Sequence, residues 1–177
     1  MKIAVLGHSA SGKSTLAERL GERYGIPVLH LDRVAFCPGW KERDLQEARG
    51  LVEAFMKQES WVIDGNYKKY GQRERLDQAD EIVILDFPRL SCLTRACKRY
   101  VRYRGRTRDD MAEGCREKID PAFVWWILYE GRTAERRRHL REIRERYPDK
   151  TVVLKNQRQL DRFSRGPLAF RRADPRL

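Results

Sequence analysis

Eight residues near the start of the chain have the types and the spacing needed to bind phosphate. They read GHSASGKS from Gly7 to Ser14, match the pattern GxxxxGK[ST], and stand between an apolar run and a stretch of helical period. The glycines let the backbone turn so that successive N–H groups converge on phosphate oxygens, and the helix adds the positive end of its dipole. The pattern predicts a nucleoside triphosphate site with contacts from Gly7, Ser9, Ala10, Ser11, Gly12, Lys13, Ser14 and Thr15.

The same loop predicts which residues handle the phosphates and a metal ion. In this pattern Lys13 reaches the β- and γ-phosphates, and Ser14 ligates Mg²⁺. A carboxylate at the carboxyl end of a strand is expected to help hold the metal, and both Asp64 and Asp86 end apolar runs. We favour Asp64, because the glycine after it permits close approach of a phosphate or of metal-bound water. The predicted cofactors are ATP and Mg²⁺, with Ser14 and Asp64 as metal ligands.

Asp32 ends another apolar run, in HLD, just before a helical excursion at 33–60 where an acceptor would bind. A phosphate acceptor is already ionised and needs no base, whereas a hydroxyl acceptor benefits from a positioned carboxylate. The position therefore favours a hydroxyl acceptor or a metal role for Asp32. The alternative interpretation is an N-cap for a helix from residue 33 onward.

Arginines are concentrated in RACKRYVRYRGRTR at 95–108, which contains no acidic residue. Arginines that close over a transferred phosphoryl group stabilise its charge and exclude water. We predict an arginine-rich lid at 104–121, where no core pattern is present; a solvated basic face or a nucleic-acid patch is the alternative. The candidates for lid and transition-state contacts are Arg99, Arg104, Arg108, Arg132 and Arg136.

Three other features are interpreted as structural. His8, inside the loop, is interpreted as a spacer rather than as a ligand. The aromatic group is interpreted as core rather than as a platform for stacking bases; its members are Phe123, Trp125, Trp126 and Tyr129. The cysteines lack the spacing of a zinc site, so none is predicted among Cys37, Cys92, Cys97 and Cys115.

The elements that must position these residues are short apolar runs alternating with stretches of helical period. The runs cover residues 2–7, 26–32, 61–65, 81–88 and 151–155, and read as strands buried on both faces. The helical stretches cover 14–24, 42–58, 89–103 and 122–147. This alternation predicts a three-layered α/β fold with a parallel sheet between helices. Residues 1–163 are expected to form one domain, and 164–177 a frayed tail.

Composition limits the partners and the setting. The 177 residues suit one ordinary domain, and the net charge of +12 indicates an anionic partner, either nucleic acid, an acidic membrane surface or a small polyphosphate. No stretch approaches the ~20 apolar residues of a membrane span, and the N-terminus has no signal-peptide pattern. A cytoplasmic monomer with free thiols and no membrane contact is expected.

Several motifs resemble those of a known family. In chain order they are HLD, PGW at 38–40, WVIDGNY, LDFPR, YRGRTR and DMAEGC. They are similar to the bacterial family labelled DNA topology modulation protein, or FlaR-related, within the adenylate kinase-like P-loop kinases. The resemblance covers residues 1–163 and implies a P-loop NTPase fold with ATP on the loop and a five-stranded parallel sheet of order 2-3-1-4-5.

The sequence departs from the adenylate kinase-like pattern in two places. The lid contains only Cys115, so it lacks the zinc-holding cysteines of some adenylate kinases. DGNY stands where nucleotide kinases carry DGFPR, whose arginine grips the phosphate of the acceptor, and this does not favour a nucleoside monophosphate as acceptor. The expected function is an ATP-dependent phosphotransferase with an unidentified small acceptor. The alternative is a nucleic-acid-associated NTP-binding regulator linked to DNA topology, although no nucleic-acid-binding signature is visible.

Overall fold

Five parallel strands form the central sheet in the computed structural model, which describes residues 1–105, 107, 110–115 and 117–166. They are β1 (Lys2–Gly7), β2 (Val28–His30), β5 (Trp61–Asp64), β6 (Glu81–Leu85) and β7 (Thr151–Leu154). A separate antiparallel hairpin pairs β3 (Phe36–Cys37) with β4 (Lys41–Glu42). In the sheet β1 is central, with Ala4 opposite Ile63 of β5 and Ile82 of β6. The apolar runs form these strands because both faces of the sheet are covered.

The sheet has the order β2-β5-β1-β6-β7. This differs from the predicted order 2-3-1-4-5 in its numbering, because the hairpin β3–β4 falls between the second and third strands of the sheet along the chain. The hairpin was not predicted, since its strands are only two residues long each. The predicted α/β class with a five-stranded parallel sheet is confirmed.

Eight α-helices are found in the described part of the chain. They are α1 (Lys13–Tyr24), α2 (Leu31–Ala35), α3 (Leu45–Met56), α4 (Gln72–Gln78), α5 (Arg89–Tyr103), α6 (Pro121–Leu128), α7 (Ala134–Arg146) and α8 (Gln157–Arg165). One core cluster joins one face of the sheet to α2, α3, α4 and α7. A second joins the other face to α1, α5, α6 and α8. The sheet therefore lies between two layers of helices.

The single helix predicted at 122–147 is wrong. The chain forms α6, then a 3₁₀ turn at Glu130–Arg132, then α7. Thr133 stops the helix from running through, because its side chain accepts a hydrogen bond from the backbone N–H of Arg136 and so caps α7 as a new start. The helical periodicity of the sequence thus continues across a position where the chain changes direction between two helices.

The segment predicted as a lid at 104–121 has a small core of its own. Met111, Ala112 and Cys115 are buried and pack against Phe36 and Trp40 of the hairpin region. The prediction that this segment lacks core residues is wrong, because its apolar side chains are covered by a neighbouring loop rather than by the sheet.

Two predictions reach beyond the described residues. Arg108 and residues 167–177 lie outside them, and α8 runs to Arg165, inside the predicted tail. The division into a domain of residues 1–163 and a tail therefore stays a prediction. None of the helices described above combines the length and the apolar content needed to span a membrane.

Candidate phosphate-binding site

The loop Gly7–Ser14 joins β1 to α1 and has a backbone that most residues cannot adopt. Gly7 and Gly12 have φ angles of 138° and 100°. A Cβ at Gly7 would collide with the Leu85 carbonyl, and one at Gly12 would stand 2.9 Å from Nη1 of Arg95. Gly12 precedes α1 without a side-chain cap. The N–H groups of the first turn of α1 therefore remain available to an anion.

Lys13 and Ser14 both make hydrogen bonds at the ends of the loop. The Lys13 side chain runs back over the loop, and its Nζ donates to the His8 carbonyl oxygen at 3.0 Å. Ser14 Oγ donates to Oδ2 of Asp64 at 3.1 Å. The structure thus brings together the loop lysine, the loop serine and the carboxylate that ends β5.

Asp64 is buried, and His30 at the end of β2 holds its second oxygen. His30 Nδ1 lies 2.6 Å from Oδ1 of Asp64. Burial opposes protonation of His30, but the hydrogen bond to Asp64 and the charges of Asp64, Asp110 and Glu18 raise its pKa above the usual value. Asp110 belongs to the segment 104–121, so that segment lies close enough to this site to act on it electrostatically.

His8 is not a spacer, and this prediction is wrong. The side chain is buried, and its Nε2 lies 3.0 Å from Oδ1 of Asp86, the residue directly after β6. The hydrogen bond to His8 lowers the pKa of Asp86, although partial burial of the carboxyl acts in the opposite direction. Of the two competing aspartates, Asp64 contacts Ser14 and Asp86 anchors the loop.

Asn66, in DGNY, is a site residue that the sequence analysis missed. Gly7 N–H donates to its Oδ1 at 3.0 Å, and its Nδ2 donates back to the Gly7 carbonyl at 2.6 Å. Gln72 on α4 donates in turn to the Asn66 carbonyl at 3.2 Å. The only available signal was an amide directly after the Asp-Gly pair. The β5–α4 connection therefore fixes the start of the phosphate loop.

Arg75, on α4, also holds the β5–α4 connection in place. It is fully buried and donates Nη2–H to the Gly65 carbonyl at 3.1 Å. Burial lowers its pKa to about 10, while the charge of Asp64 acts in the opposite direction. The guanidinium of Arg75 thus holds the backbone directly after Asp64 in place.

We predict that Asn66→Asp weakens nucleotide binding about tenfold. The aspartate cannot donate to the Gly7 carbonyl, and it adds a negative charge beside the site of the phosphates. Calorimetric titration with Mg·ATP measures the effect. Gln78→Glu is the control, because Gln78 lies at the opposite end of the sheet, where it accepts from Nζ of Lys2. Equal affinities of Asn66→Asp and Gln78→Glu would contradict this role of Asn66.

Asp32 does not cap a helix, so that alternative is wrong. His30 is the N-cap of α2, and Asp32 lies in its first turn. The hydroxyl of Tyr67 donates to Oδ1 of Asp32 at 2.8 Å. Burial, followed by the charge of Asp32 and this hydrogen bond, raises the pKa of Tyr67 well above its usual range. Tyr67 therefore stays a donor, and the half-buried carboxylate is held in one orientation.

The candidate arginines do not all meet at the loop. Arg132 is buried in the turn before α7, where it donates to the Ile127 carbonyl at 3.1 Å and to Sγ of Cys92 at 3.1 Å. It anchors this turn to α5 rather than facing the lid, because the break at Thr133 separates it from α7. Arg132 and Arg136 therefore lie in different elements, although a single helix was predicted over 122–147.

The other candidates divide between two places. Arg99 Nε pairs with Oε1 of Glu117 at 2.8 Å, and Arg104 forms a backbone bridge with the same residue. Arg136 lies over the ring of Trp126, with its guanidinium carbon 4.5 Å from the ring centroid. The lid contacts of these residues with a nucleotide stay predictions.

Arg95 is a second residue that the sequence analysis did not single out. Its Nη1 donates to the Ser11 carbonyl at 2.9 Å, inside the phosphate loop, and its guanidinium lies 4.4 Å from the Phe87 ring centroid. Beside it is a cavity of about 130 Å³. The cavity is lined by Gly12, Thr15, Leu16, Arg19, Arg95, Gln157, Leu160 and Ser164. This cavity adjoins the α1 end of the loop.

The aromatic group is only partly core. Phe123 packs against the second core cluster, but Trp125 is 54% exposed and Tyr129 is 49% exposed. Trp126 donates its Nε1–H to Oγ of Ser9 in the loop at 2.9 Å. The core interpretation fails for these three residues because α6 is apolar all round and can bury only one side against the sheet.

Comparison with solved structures gives the class of fold. A gluconokinase from Sinorhizobium meliloti 1021 matches with TM-score 0.53 and 17% identity, over 92% of this chain and 93% of that chain. A deoxyadenosine kinase from M. mycoides matches with TM-score 0.52 and 14% identity, over 92% and 96% of the two chains. No protein-family model and no curated protein matches the sequence. The chain has the α/β fold of these two structures, and the resemblance to the DNA topology modulation family stays a prediction.

Proposed function

We propose that this protein is an ATP-dependent phosphotransferase that acts on a small acceptor with a hydroxyl group. The observation that carries the proposal is the contact of Ser14 with Asp64, next to a lysine that reaches back over the loop. This arrangement suits a nucleotide whose phosphates lie on the loop and whose terminal phosphate faces the ends of β2 and β5. The kinase names of the two structural neighbours support the same class of reaction.

The residues present fit Mg²⁺ and ATP. Ser14 and Asp64 offer a hydroxyl and a carboxylate, the oxygen ligands that Mg²⁺ prefers, and they would hold the ion. Bound there, Mg²⁺ would neutralise charge on the phosphates. In the described residues no group of three or more His, Cys, Asp and Glu forms a metal site. The cavity beside Arg95 supports a place for the nucleoside at the α1 end of the loop.

The acceptor would bind beside Asp32, in the first turn of α2. Asp32 would accept the proton of the attacking hydroxyl, and Tyr67 would keep the carboxylate in place. No contact in the described residues favours the alternative of a nucleic-acid-associated regulator. The cytoplasmic location and the monomeric state of the protein stay predictions.

A titration and an acceptor panel test the proposed function. We expect Mg·ATP to bind, and transfer of the γ-phosphate of labelled ATP to appear with small alcohols, sugars and nucleosides but not with AMP or CMP. Binding of ATP without transfer to any member of the panel, together with DNA binding that falls steeply with salt, would instead support a regulator.

We further predict that the segment 104–121 closes over bound ATP. Its buried side chains pack on the hairpin region rather than on the sheet. The charge of Asp110, in this segment, helps to raise the pKa of His30 near the loop. Limited proteolysis is expected to cut this segment more slowly when a bisubstrate-like ligand is bound. Equal cleavage rates with and without that ligand would exclude closure.

A further inference from the structure

Trp126 makes a hydrogen bond to the phosphate loop that the proposed function does not use. Its Nε1–H donates to Oγ of Ser9 at 2.9 Å. An indole N–H is a donor only, so the Ser9 oxygen must accept in this bond, and the hydroxyl hydrogen of Ser9 must point elsewhere. Within the described parts of the chain, the structure gives that hydrogen no acceptor.

Lys13 indicates which phosphate would lie next to Ser9. The Lys13 ammonium group contacts the carbonyl of His8, the residue directly before Ser9. The cavity proposed for the nucleoside instead adjoins Gly12 and Thr15, at the other end of the loop. Because a lysine in this pattern reaches the β- and γ-phosphates, the residues beside its ammonium group belong to the terminal end of the triphosphate.

We propose that Trp126 is a positioning residue that aims the Ser9 hydroxyl at the terminal phosphate of ATP, an inference that rests on the proposed function. With the indole N–H on one side of Ser9 Oγ, the O–H turns away from the indole and donates to a γ-phosphate oxygen. Such a bond to an anionic oxygen is charge-assisted and strong. ADP has no γ-phosphate, so the pair favours ATP over ADP.

The surroundings fix the indole before a nucleotide arrives. Gly131, in the turn after α6, packs so closely that a Cβ there would stand 2.8 Å from the Trp126 carbonyl oxygen and 3.1 Å from its Nε1. Arg136 covers a face of the ring, as described above. The direction of the N–H, and with it the orientation of Ser9, is therefore set by α6, the turn and α7 together.

A double-mutant cycle tests the pair. Trp126→Phe keeps an aromatic ring but removes the N–H, and Ser9→Ala removes the hydroxyl. Dissociation constants are measured for Mg·ADP and for the Mg complex of a non-hydrolysable imido analogue of ATP. We expect each single variant to lose about tenfold in its preference for the triphosphate, and the double variant to lose no more than either. Trp125→Phe is the control, because Trp125 is half-exposed and its ring packs at a tilt against Tyr129, and among the described residues no hydrogen bond joins it to the loop.

A second measurement leaves Trp126 unchanged. In NMR spectra, the position of one indole N–H resonance is expected to differ between the wild type and Ser9→Ala. In the wild type, the same resonance is expected to shift more on binding the triphosphate analogue than on binding ADP. The inference would be overturned if a folded Trp126→Phe variant kept the wild-type preference for the triphosphate. It would also be overturned if the two losses of preference added up in the double variant, or if both nucleotides shifted the resonance equally. Failure of the wild type to bind either nucleotide would overturn the proposed function, and this inference with it.

Discussion

Replacing Lys13 with alanine is expected to reduce ATP-dependent turnover by at least roughly 10²-fold while the protein stays folded. The ammonium group of Lys13 reaches back over the loop, where it contacts the His8 carbonyl. In the proposed complex it would neutralise the charge that builds up on the transferred phosphoryl group. No other residue of the loop carries a positive charge, so nothing in the loop replaces it.

The effect of Lys13→Ala on stability is expected to be small, about 1 kcal/mol or less, because the lysine side chain makes one hydrogen bond within the described residues and is not part of the apolar core. ADP formation and thermal unfolding are measured on the same preparation. Lys57→Ala is the matched control, since Lys57 is exposed at the end of α3. A Lys13→Ala variant with the wild-type rate would show that the loop does not act on phosphate.

The sheet was predictable because its strands are determined by local composition. Each apolar run is bounded by turn residues and is short, which limits it to a buried strand. The ends of the strands were predicted less accurately. The run at 81–88 includes Asp86, Phe87 and Pro88, whereas β6 ends at Leu85. The backbone N–H of Asp86 still donates to the Leu154 carbonyl, so the boundary depends on pairing with a strand far away in the sequence.

The break between α6 and α7 could not be read from periodicity. Apolar and charged residues continue at helical spacing through 122–147, and a glycine with a threonine is compatible with a helix. The break depends on tertiary contacts, since Gly131 packs against Trp126 and Arg132 is buried beside Cys92. These contacts join residues from different elements, which spacing alone does not show.

The candidate site was predictable where a motif is local and not where it is assembled from distant residues. The loop residues and the acid at the end of β5 follow from the pattern and from the geometry of parallel sheets. The contacts of Asn66 with Gly7 and of Trp126 with Ser9 join residues 59 and 117 positions apart. Both pairs are ordinary polar contacts whose spacing along the chain carries no signal.

Asp32→Asn is expected to lower the rate of phosphoryl transfer about 10²–10⁴-fold while ATP binds nearly as well as to the wild type. Tyr67 already donates to Oδ1 of Asp32, which leaves the carboxylate to accept a proton from an incoming hydroxyl. The asparagine keeps the shape but cannot accept that proton. Tyr67→Phe, which only frees the carboxylate to rotate, is expected to have a smaller effect on the rate.

The charges around Asp32 support a neutral acceptor. A nucleoside monophosphate would need several arginines facing its dianion, but of the three in the excursion 33–60, Arg43 pairs with Glu47 and Arg49 lies 3.7 Å from Glu53, which leaves Arg33 alone. A carboxylate at Asp32 would also repel an incoming phosphate, whereas a hydroxyl can donate its proton to it.

The decisive comparison measures transfer and ATP affinity side by side in Asp32→Asn and in Asp44→Asn. Asp44 lies in the same excursion and caps α3, a role that asparagine fills equally well, so its variant is expected to behave as the wild type. Equal losses of ATP affinity and of transfer in Asp32→Asn would reduce Asp32 to a structural or metal-binding role. Efficient phosphorylation of AMP or CMP by the wild type would exclude the hydroxyl acceptor altogether, because the same carboxylate cannot favour both kinds of acceptor.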